Sequence, residues 1–306
     1  VETLYCSACR ERYDCRDGVW QFLPARRREL YGQFLREYRT VRVKEGWGRA
    51  DSTYYRSLPR VTRDDPQRAI WLIRERTFRL LIDRVVAPTE CSHSGKLQVL
   101  DVGAGNCWLA FRLAELGHWV AAVDISLDAA DGLGAHFHYE PVGEDVTLAQ
   151  AEFDRLPFAG EQANLVIFNG SIHYARDFAT TLHEAARVLR PDGRMVIMDS
   201  PVYRSASGGL HMIREREQEY ERRYGFPSNA LPTEGFLTWK RLEQLGAAVA
   251  LTWTVIHPSL GLRVSARRWR AHVLRRSEPA RFPIIVGARQ AQFRPASLAA
   301  RSSRLR

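Results

Sequence analysis

The run Val99-Leu100-Asp101-Val102-Gly103-Ala104-Gly105-Asn106-Cys107-Trp108 sets two glycines between an apolar stretch and a helical one. With no side chain at Gly103 or Gly105, the backbone can approach a ligand closely. Phosphate and dinucleotide folds use the same device. The lysine and hydroxyl residue that a phosphate-cradling loop needs are missing here, so ATP and GTP have little support. Asp101 precedes the glycines, where a carboxylate repels a pyrophosphate but suits a cationic amino-acid moiety, held directly or through water. Asp124 ends the next apolar stretch and is placed to bond both hydroxyls of a ribose. Nicotinamide enzymes share that feature, so a dehydrogenase stays in contention.

A second group of reactive types lies in Asn169-Gly170-Ser171-Ile172-His173-Tyr174. His173 is the first candidate for a general base, because a free imidazole of pKa about 6.5 is largely neutral at physiological pH. The alternative is that it caps the next helix or touches only a cofactor. Tyr174 and Asn169 could orient a substrate, and Asp199 either contacts substrate or braces its loop. Cys6-x-x-Cys9 followed by Cys15 has zinc-like spacing but supplies three thiolates, leaving a fourth ligand to Cys91, His93, another side chain or water. His136 and His138 have no local set to complete a metal site. Trp108 either shields a ligand or packs.

These groups need elements to hold them. Leu97 to Val102 reads as a short strand, Asn106 to Leu116 as a helix ended by Gly117, and Trp119 to Asp124 as a second strand. Strands at Val146 to Ala151 and Leu165 to Phe168 follow, then a helix from Asp177 to Leu189 and a fifth strand from Arg194 to Met198. Such alternation predicts a mostly parallel sheet covered on both faces, with ligands at the carboxyl ends of its strands. Helical sequence at Gly209 to Tyr224 and Thr233 to Leu245 interrupts the core, and Val249 to Ile256 with Phe282 to Gly287 completes the sheet. Upstream, Asp17-Gly18 turns into an apolar strand at Val19 to Leu23. Residues 29–59 give a mixed signal. Asp64-Asp65-Pro66 opens a helix with a capping acid and a first-turn proline, and Ala87-Pro88 is expected to stop it.

A chain of 306 residues, 45% hydrophobic, can bury a full α/β core with additions. The expected organisation is a cysteine-containing extended unit over 1–24, a helical and irregular cap over 25–95, a main domain over 96–290 with insertions at about 204–232 and 262–278, and a flexible Arg-rich tail over 291–306. No apolar run is long enough to span a membrane, and the opening residues lack the apolar core and processing site of a secretory signal, so the cytoplasm is the expected compartment. The net charge of +10 would attract an anionic partner. Yet lysine appears only at Lys44, Lys96 and Lys240, which a coding bias toward arginine would also produce. The excess gathers from Arg263 onward, where a nucleic-acid grip and a solvated end are both open readings. Nothing in the sequence reads the oligomeric state.

From about Leu97 to Tyr203 the chain resembles the class I S-adenosylmethionine (SAM)-dependent methyltransferases, nearest to the group containing ubiquinone- and menaquinone-type enzymes. LDVGAGNCW resembles that family's first motif, VAAVDIS the acidic end of its second strand, AEFDRLPF its adenine-contact segment, and EAARVLRPDGRMVIMDS the helix and strand after the fourth. The resemblance implies a Rossmann-like α/β sheet with helical cap elements and a small N-terminal extension. It also implies SAM as cofactor: Gly103, Gly105 and Asn106 at the homocysteine portion, Asp101 at its ammonium, Asp124 and Ile125 at the ribose end, Phe153 and Asp154 at the adenine, and Asn169 bordering the cofactor. Cys107 departs from the glycine common there. CSACRERYDCRDGVWQFLP resembles a Trm112-like, zinc-ribbon-type leader without its second Cys-x-x-Cys. The expected activity is methyl transfer to a small, aromatic or lipophilic acceptor. An RNA methyltransferase, with a nucleic-acid partner, and a silent SAM-binding scaffold are the alternatives. No Asn-Pro-Pro-aromatic motif follows the fourth strand, which lowers the case for methylating an exocyclic amine of a base.

Overall fold

Strands buried on both faces read as continuous apolar runs, and the centre of this molecule is built from them. A computed structural model describes residues 2–7, 9–93, 95–139, 145–258 and 278–289. Its strands are β1 (Glu2–Tyr5), β2 (Arg12–Arg16), β3 (Val19–Gln21), β4 (Gln98–Val102), β5 (Trp119–Asp124), β6 (Val146–Gln150), β7 (Ala163–Asn169), β8 (Leu189–Met198), β9 (Val202–Tyr203), β10 (Leu237–Thr238), β11 (Leu251–Ile256) and β12 (Ile284–Arg289). Ten of them form one sheet in the order β1-β2-β3-β6-β5-β4-β7-β8-β12-β11. Pairing is parallel from β3 through β8 and antiparallel at both ends. After β4 the chain first builds outward through β5 and β6, then returns to lay β7 and β8 on the other side. A crevice opens where the two halves diverge, at the carboxyl ends of β4 and β7. This is a Rossmann-like α/β sheet with helical cap elements. The leader joins it directly, with Val19 opposite Leu148 and Gln21 opposite Gln150.

The helices are α1 (Ala25–Lys44), α2 (Ser52–Ser57), α3 (Arg68–Leu81), α4 (Ala87–His93), α5 (Trp108–Glu115), α6 (Phe178–Val188), α7 (Ala206–Tyr224) and α8 (Trp239–Ala248). Side-chain caps set several starts: Asp177 accepts from Thr180 N at 2.6 Å, Thr238 from Arg241 N at 3.1 Å and Ser205 from Gly208 N at 3.3 Å. Pro88 does not stop the helix before it. A π-helical turn over Ile82–Val86 shifts the register so that the Ala87 N–H bonds Ile82 O, and Pro88 enters the first turn of α4, where no N–H is required of it. Trp108 is buried edge-on against Trp71 and Phe78, at ring separations of 5.9 and 5.7 Å. It therefore packs α5 to α3. The insertion expected at 262–278 falls mostly outside the described residues, and the tail expected at 291–306 lies wholly outside them. Among the described residues no helix is long and apolar enough to cross a membrane.

Helix α1 fills the stretch whose sequence signal is mixed, and buried charge pairs fasten it at both ends. Arg27 donates from Nε to the two oxygens of Glu152 at 3.0 and 2.9 Å, and Tyr31 donates to the same carboxylate at 2.6 Å. Arg42 pairs with Asp131 through Nε and Nη2, and the Tyr38 hydroxyl reaches the same carboxylate at 3.3 Å. Removing one partner of such a pair strands the other charge. Glu152→Gln is expected to lower stability in chemical denaturation by about 1–3 kcal/mol and to speed tryptic cleavage within residues 25–44. An unchanged midpoint with unchanged proteolysis would mean that α1 is held by other contacts.

Candidate functional site

At the end of β4 the chain must turn sharply beneath the loop that follows β7. Gly103 has φ +77°, and a Cβ there would come within 2.3 Å of the Ser171 Cβ and 3.0 Å of the Phe153 ring. Only glycine fits. Gly105 also has a left-handed φ of +53°, but the space a Cβ would take is open. The turn is pinned from both sides: Gly103 N and Ala104 N donate to Val123 O, Gly105 N donates to Asp124 Oδ2 at 2.9 Å, and Ser171 Oγ donates to Val102 O. Asn106 Oδ1 accepts from Trp108 N at 3.4 Å and serves as a local cap for α5.

Two carboxylates, Asp101 and Asp124, lie close together beside this turn, and a third, Asp154, lines a neighbouring cavity. Asp101 is 1% exposed, and neither of its oxygens has a hydrogen-bond partner among the described residues. Burial drives its carboxyl up to about 8, and the charge of Asp124 adds to the effect. Asp124 accepts from Ser126 N at 2.8 Å as well as from Gly105 N, and burial raises its pKa to about 6. Asp154 follows β6 and has a buried Oδ1 with no partner, in a cavity it shares with Ile125 and Phe153. Buried oxygens without donors are costly to leave unmet. Asp101 and Asp154 thus leave acceptor oxygens unmet, whereas both oxygens of Asp124 take backbone N–H groups. Gly103, Gly105, Asp124, Ile125 and Phe153 line one cavity at these strand ends.

On the other side of the cleft, Phe34, Tyr38 and Tyr174 meet with ring centroids 5.7 to 6.0 Å apart. This partition separates the carboxylate cavity from a second one of about 190 Å3 lined by His173, Tyr174, Arg42 and Arg216. His173 Nδ1 lies 3.3 Å from Ser200 Oγ. Burial lowers its pKa to about 3, with Arg216 and Arg74 adding repulsion. Its imidazole is neutral at any physiological pH. Asn169, at the end of β7, has a buried Oδ1 with no partner among the described residues. Asp199 sits at φ +52°, accepts from Thr77 Oγ1 at 3.1 Å, and is raised by burial against the pull of Arg74.

The zinc expectation is corrected. Cys6 and Cys9 lie at the tip of the leader hairpin, whereas Cys15 pairs with Glu2 at its other end, so the three thiols do not converge. No group of three or more candidate ligands occurs among the described residues. Cys9 is instead in contact with the Tyr13 hydroxyl at 3.3 Å. His138 stacks on Tyr55 at 4.1 Å and bonds Ser52 at 2.9 Å, which ties α2 to the segment Leu133–Tyr139. Phe34, Tyr38, Arg74 and Arg216 also border this region, although no local motif in the sequence singles them out. Only the recurrence of Tyr31, Phe34, Tyr38 and Val41 at helical spacing signals the first two, whereas nothing local marks the arginines among so many others.

Residues 100–197 match the family model described as a methyltransferase domain. A demethylmenaquinone methyltransferase of Mycobacterium marinum is 33% identical over 102 residues, which are 33% of this chain and 41% of that protein. The chain thus spans about two fifths of the length of the curated relatives it matches. Among solved structures, a putative sarcosine dimethylglycine methyltransferase from Galdieria sulphuraria superposes with a TM-score of 0.53 at 16% identity, covering 83% of this chain and 97% of that one. The 1,6-didemethyltoxoflavin-N1-methyltransferase of Burkholderia thailandensis gives 0.50 at 18% identity over 95% and 100%. The fold is therefore that of class I methyltransferases. The matched family segment does not reach residues 1–24, so the likeness of the leader to a zinc-ribbon unit gains nothing from it.

A carboxyl whose pKa rises on folding favours the folded state at acid pH, and that contribution is lost as pH climbs toward about 8. Asp101→Asn cannot ionise. It is expected to melt higher than the parent by roughly 3 °C or more at alkaline pH, with the gap closing toward acid. Melting curves across that range test this, and a gap that fails to widen with pH would remove the buried-charge account of Asp101.

Proposed function

We propose that this chain transfers the methyl group of SAM to a small aromatic or lipophilic acceptor. The observation that carries the reading is the run of carboxylates Asp101, Asp124 and Asp154 at the ends of adjacent strands beside a turn only glycine can make, with Asp101 and Asp154 holding buried oxygens that have no partner among the described residues. The similarity to a demethylmenaquinone methyltransferase supports a lipophilic ring as acceptor. When bound, SAM supplies a methyl group activated by a sulfonium.

The residues of the chain bind and orient. Asp101 meets the ammonium of the methionine portion, Gly103, Gly105 and Asn106 border it, and Asp124 takes the ribose hydroxyls. Ile125 and Phe153 flank the adenine, whose amino group Asp154 accepts. Asn169 stands between cofactor and acceptor. Phe34, Tyr38 and Tyr174 exclude water from the junction of the two cavities, where positioning of the acceptor in line with the methyl group dominates the rate. His173 and Tyr174 orient the acceptor. An imidazole with a pKa of about 3 is a weak base, so His173 holds a hydrogen bond rather than withdrawing a proton. Asp199 fixes the floor of that side through Thr77.

Because Asp101 must ionise to meet an ammonium, affinity for S-adenosylhomocysteine (SAH) is expected to rise with pH up to about 8 and then level off, and Asp101→Asn to flatten the rise. Calorimetry with SAH across that range measures it. Failure of the parent chain to bind SAH at any pH would overturn the whole reading. The acceptor class is tested by incubating the chain with methyl-labelled SAM and cell extract, with and without ribonuclease. Label is expected in organic-soluble small molecules, and label that ribonuclease releases would move the function to RNA.

A further inference from the structure

The acceptor cavity is lined by an arginine with one N–H that no described residue accepts. Arg216, on α7, has its Nε shielded from solvent and without an acceptor among the described residues, and it lines the cavity with His173 and Tyr174. A buried guanidinium N–H with no acceptor is unfavourable unless a ligand supplies one. A second arginine reaches the same region. Arg74 stacks on Trp71 and Trp47, 4.8 and 5.2 Å from their ring centres, and its Nη2 lies 3.8 Å from where a Cβ on Gly170 would stand. The third arginine of this wall, Arg42, is already paired with Asp131.

The acidic side chains nearby are committed to other donors. Glu45 accepts from Trp47 Nε1 and the Tyr224 hydroxyl, and Glu217 accepts from Asn229 Nδ2. Arg216 thus keeps an N–H without an acceptor among the described residues, beside the neutral His173.

We infer that the acceptor binds as an oxyanion, a phenolate or enolate whose charged oxygen takes the free N–H of Arg216 next to His173. The inference rests on the methyl-transfer reading and specifies its substrate class. It also removes the need for a strong base. An oxyanion forms its new bond to the methyl carbon with its own electron pair, or through the ring carbon conjugated to it. The sulfur–methyl pair stays on sulfur. On oxygen no proton leaves, and on carbon the ring proton passes to solvent water after the bond has formed.

The test uses two pairs of probes, each an ionised hydroxy compound and its neutral methyl ether: lawsone with its ether, and pentafluorophenol with pentafluoroanisole. Binding to the full chain is measured by calorimetry at neutral pH, with and without SAH. The anion of each pair is expected to bind about tenfold or more tightly than its ether. Arg216→Met, which keeps the packing of the stem, should erase that preference while leaving SAH affinity within about twofold. Arg216→Lys should restore part of it. If neither anion outbinds its ether, or if Arg216→Met keeps the preference, the inference is overturned. SAH binding is read separately on the same samples, so loss of the methyl-transfer reading and loss of this one are told apart.

Discussion

Two arginine–carboxylate pairs, Arg27 with Glu152 and Arg42 with Asp131, hold α1 across the carboxyl ends of the sheet, and the rest of the site is arranged around that brace. Glu152 follows β6 and Asp131 follows β5, so each end of the helix is fixed to a different strand's exit. Buried ion pairs add little net stability, because desolvation offsets most of the attraction. Their consequence here is positional. With both ends fixed, the helical repeat brings Phe34 and Tyr38 one turn apart onto Tyr174, and one cleft becomes two compartments.

The two compartments differ in sign. The floor under the glycine turn is acidic, with Asp101 buried, Asp124 part-buried beside it, and Asp124 further raised by Asp131. The far wall is basic, with Arg74 and Arg216 both disfavouring a proton on His173. A cationic donor on the floor and an anionic acceptor at the wall would each find its counter-charge. Under the proposed reading, methyl transfer between them would neutralise both ligands, and exclusion of water from the junction would strengthen that attraction. The aromatic partition therefore has an electrostatic effect as well as a steric one.

How much of this could be read in advance depended on whether a residue's role is local. The strand pattern, the glycine turn and Asp124 were legible because strand, turn and carboxylate follow one another in sequence. The closing strands at β11 and β12 were visible for the same reason. Helix α1 was not, since its stripe of Tyr31, Phe34, Tyr38 and Val41 is diluted by arginines whose carboxylate partners lie about a hundred residues away. Pro88 misled because its usual meaning assumes an unbroken α register, and the π-turn ahead of it changes that register. The three leader cysteines misled in another way. Spacing along the chain says nothing about a hairpin that sends one thiol to the opposite end.

Cys107 bears on whether the departure from glycine damages the turn. It sits at φ +65°, a conformation that strains any side chain and explains why glycine is usual there. The strain is met by burial. The side chain is wholly enclosed, and its thiol points to the Gly105 carbonyl at 3.6 Å. A larger residue would collide in a closed space, and a charged one would add to the repulsion already present around Asp101. Burial with the nearby Asp101 and Asp124 charges holds the thiol protonated, well above its ordinary range, so no further negative charge enters the floor. The turn keeps the hydrogen bonds from Gly103, Ala104 and Gly105 that define its shape. A small neutral side chain thus replaces glycine without dismantling the cradle, and the substitution alone gives no reason to regard the site as silent.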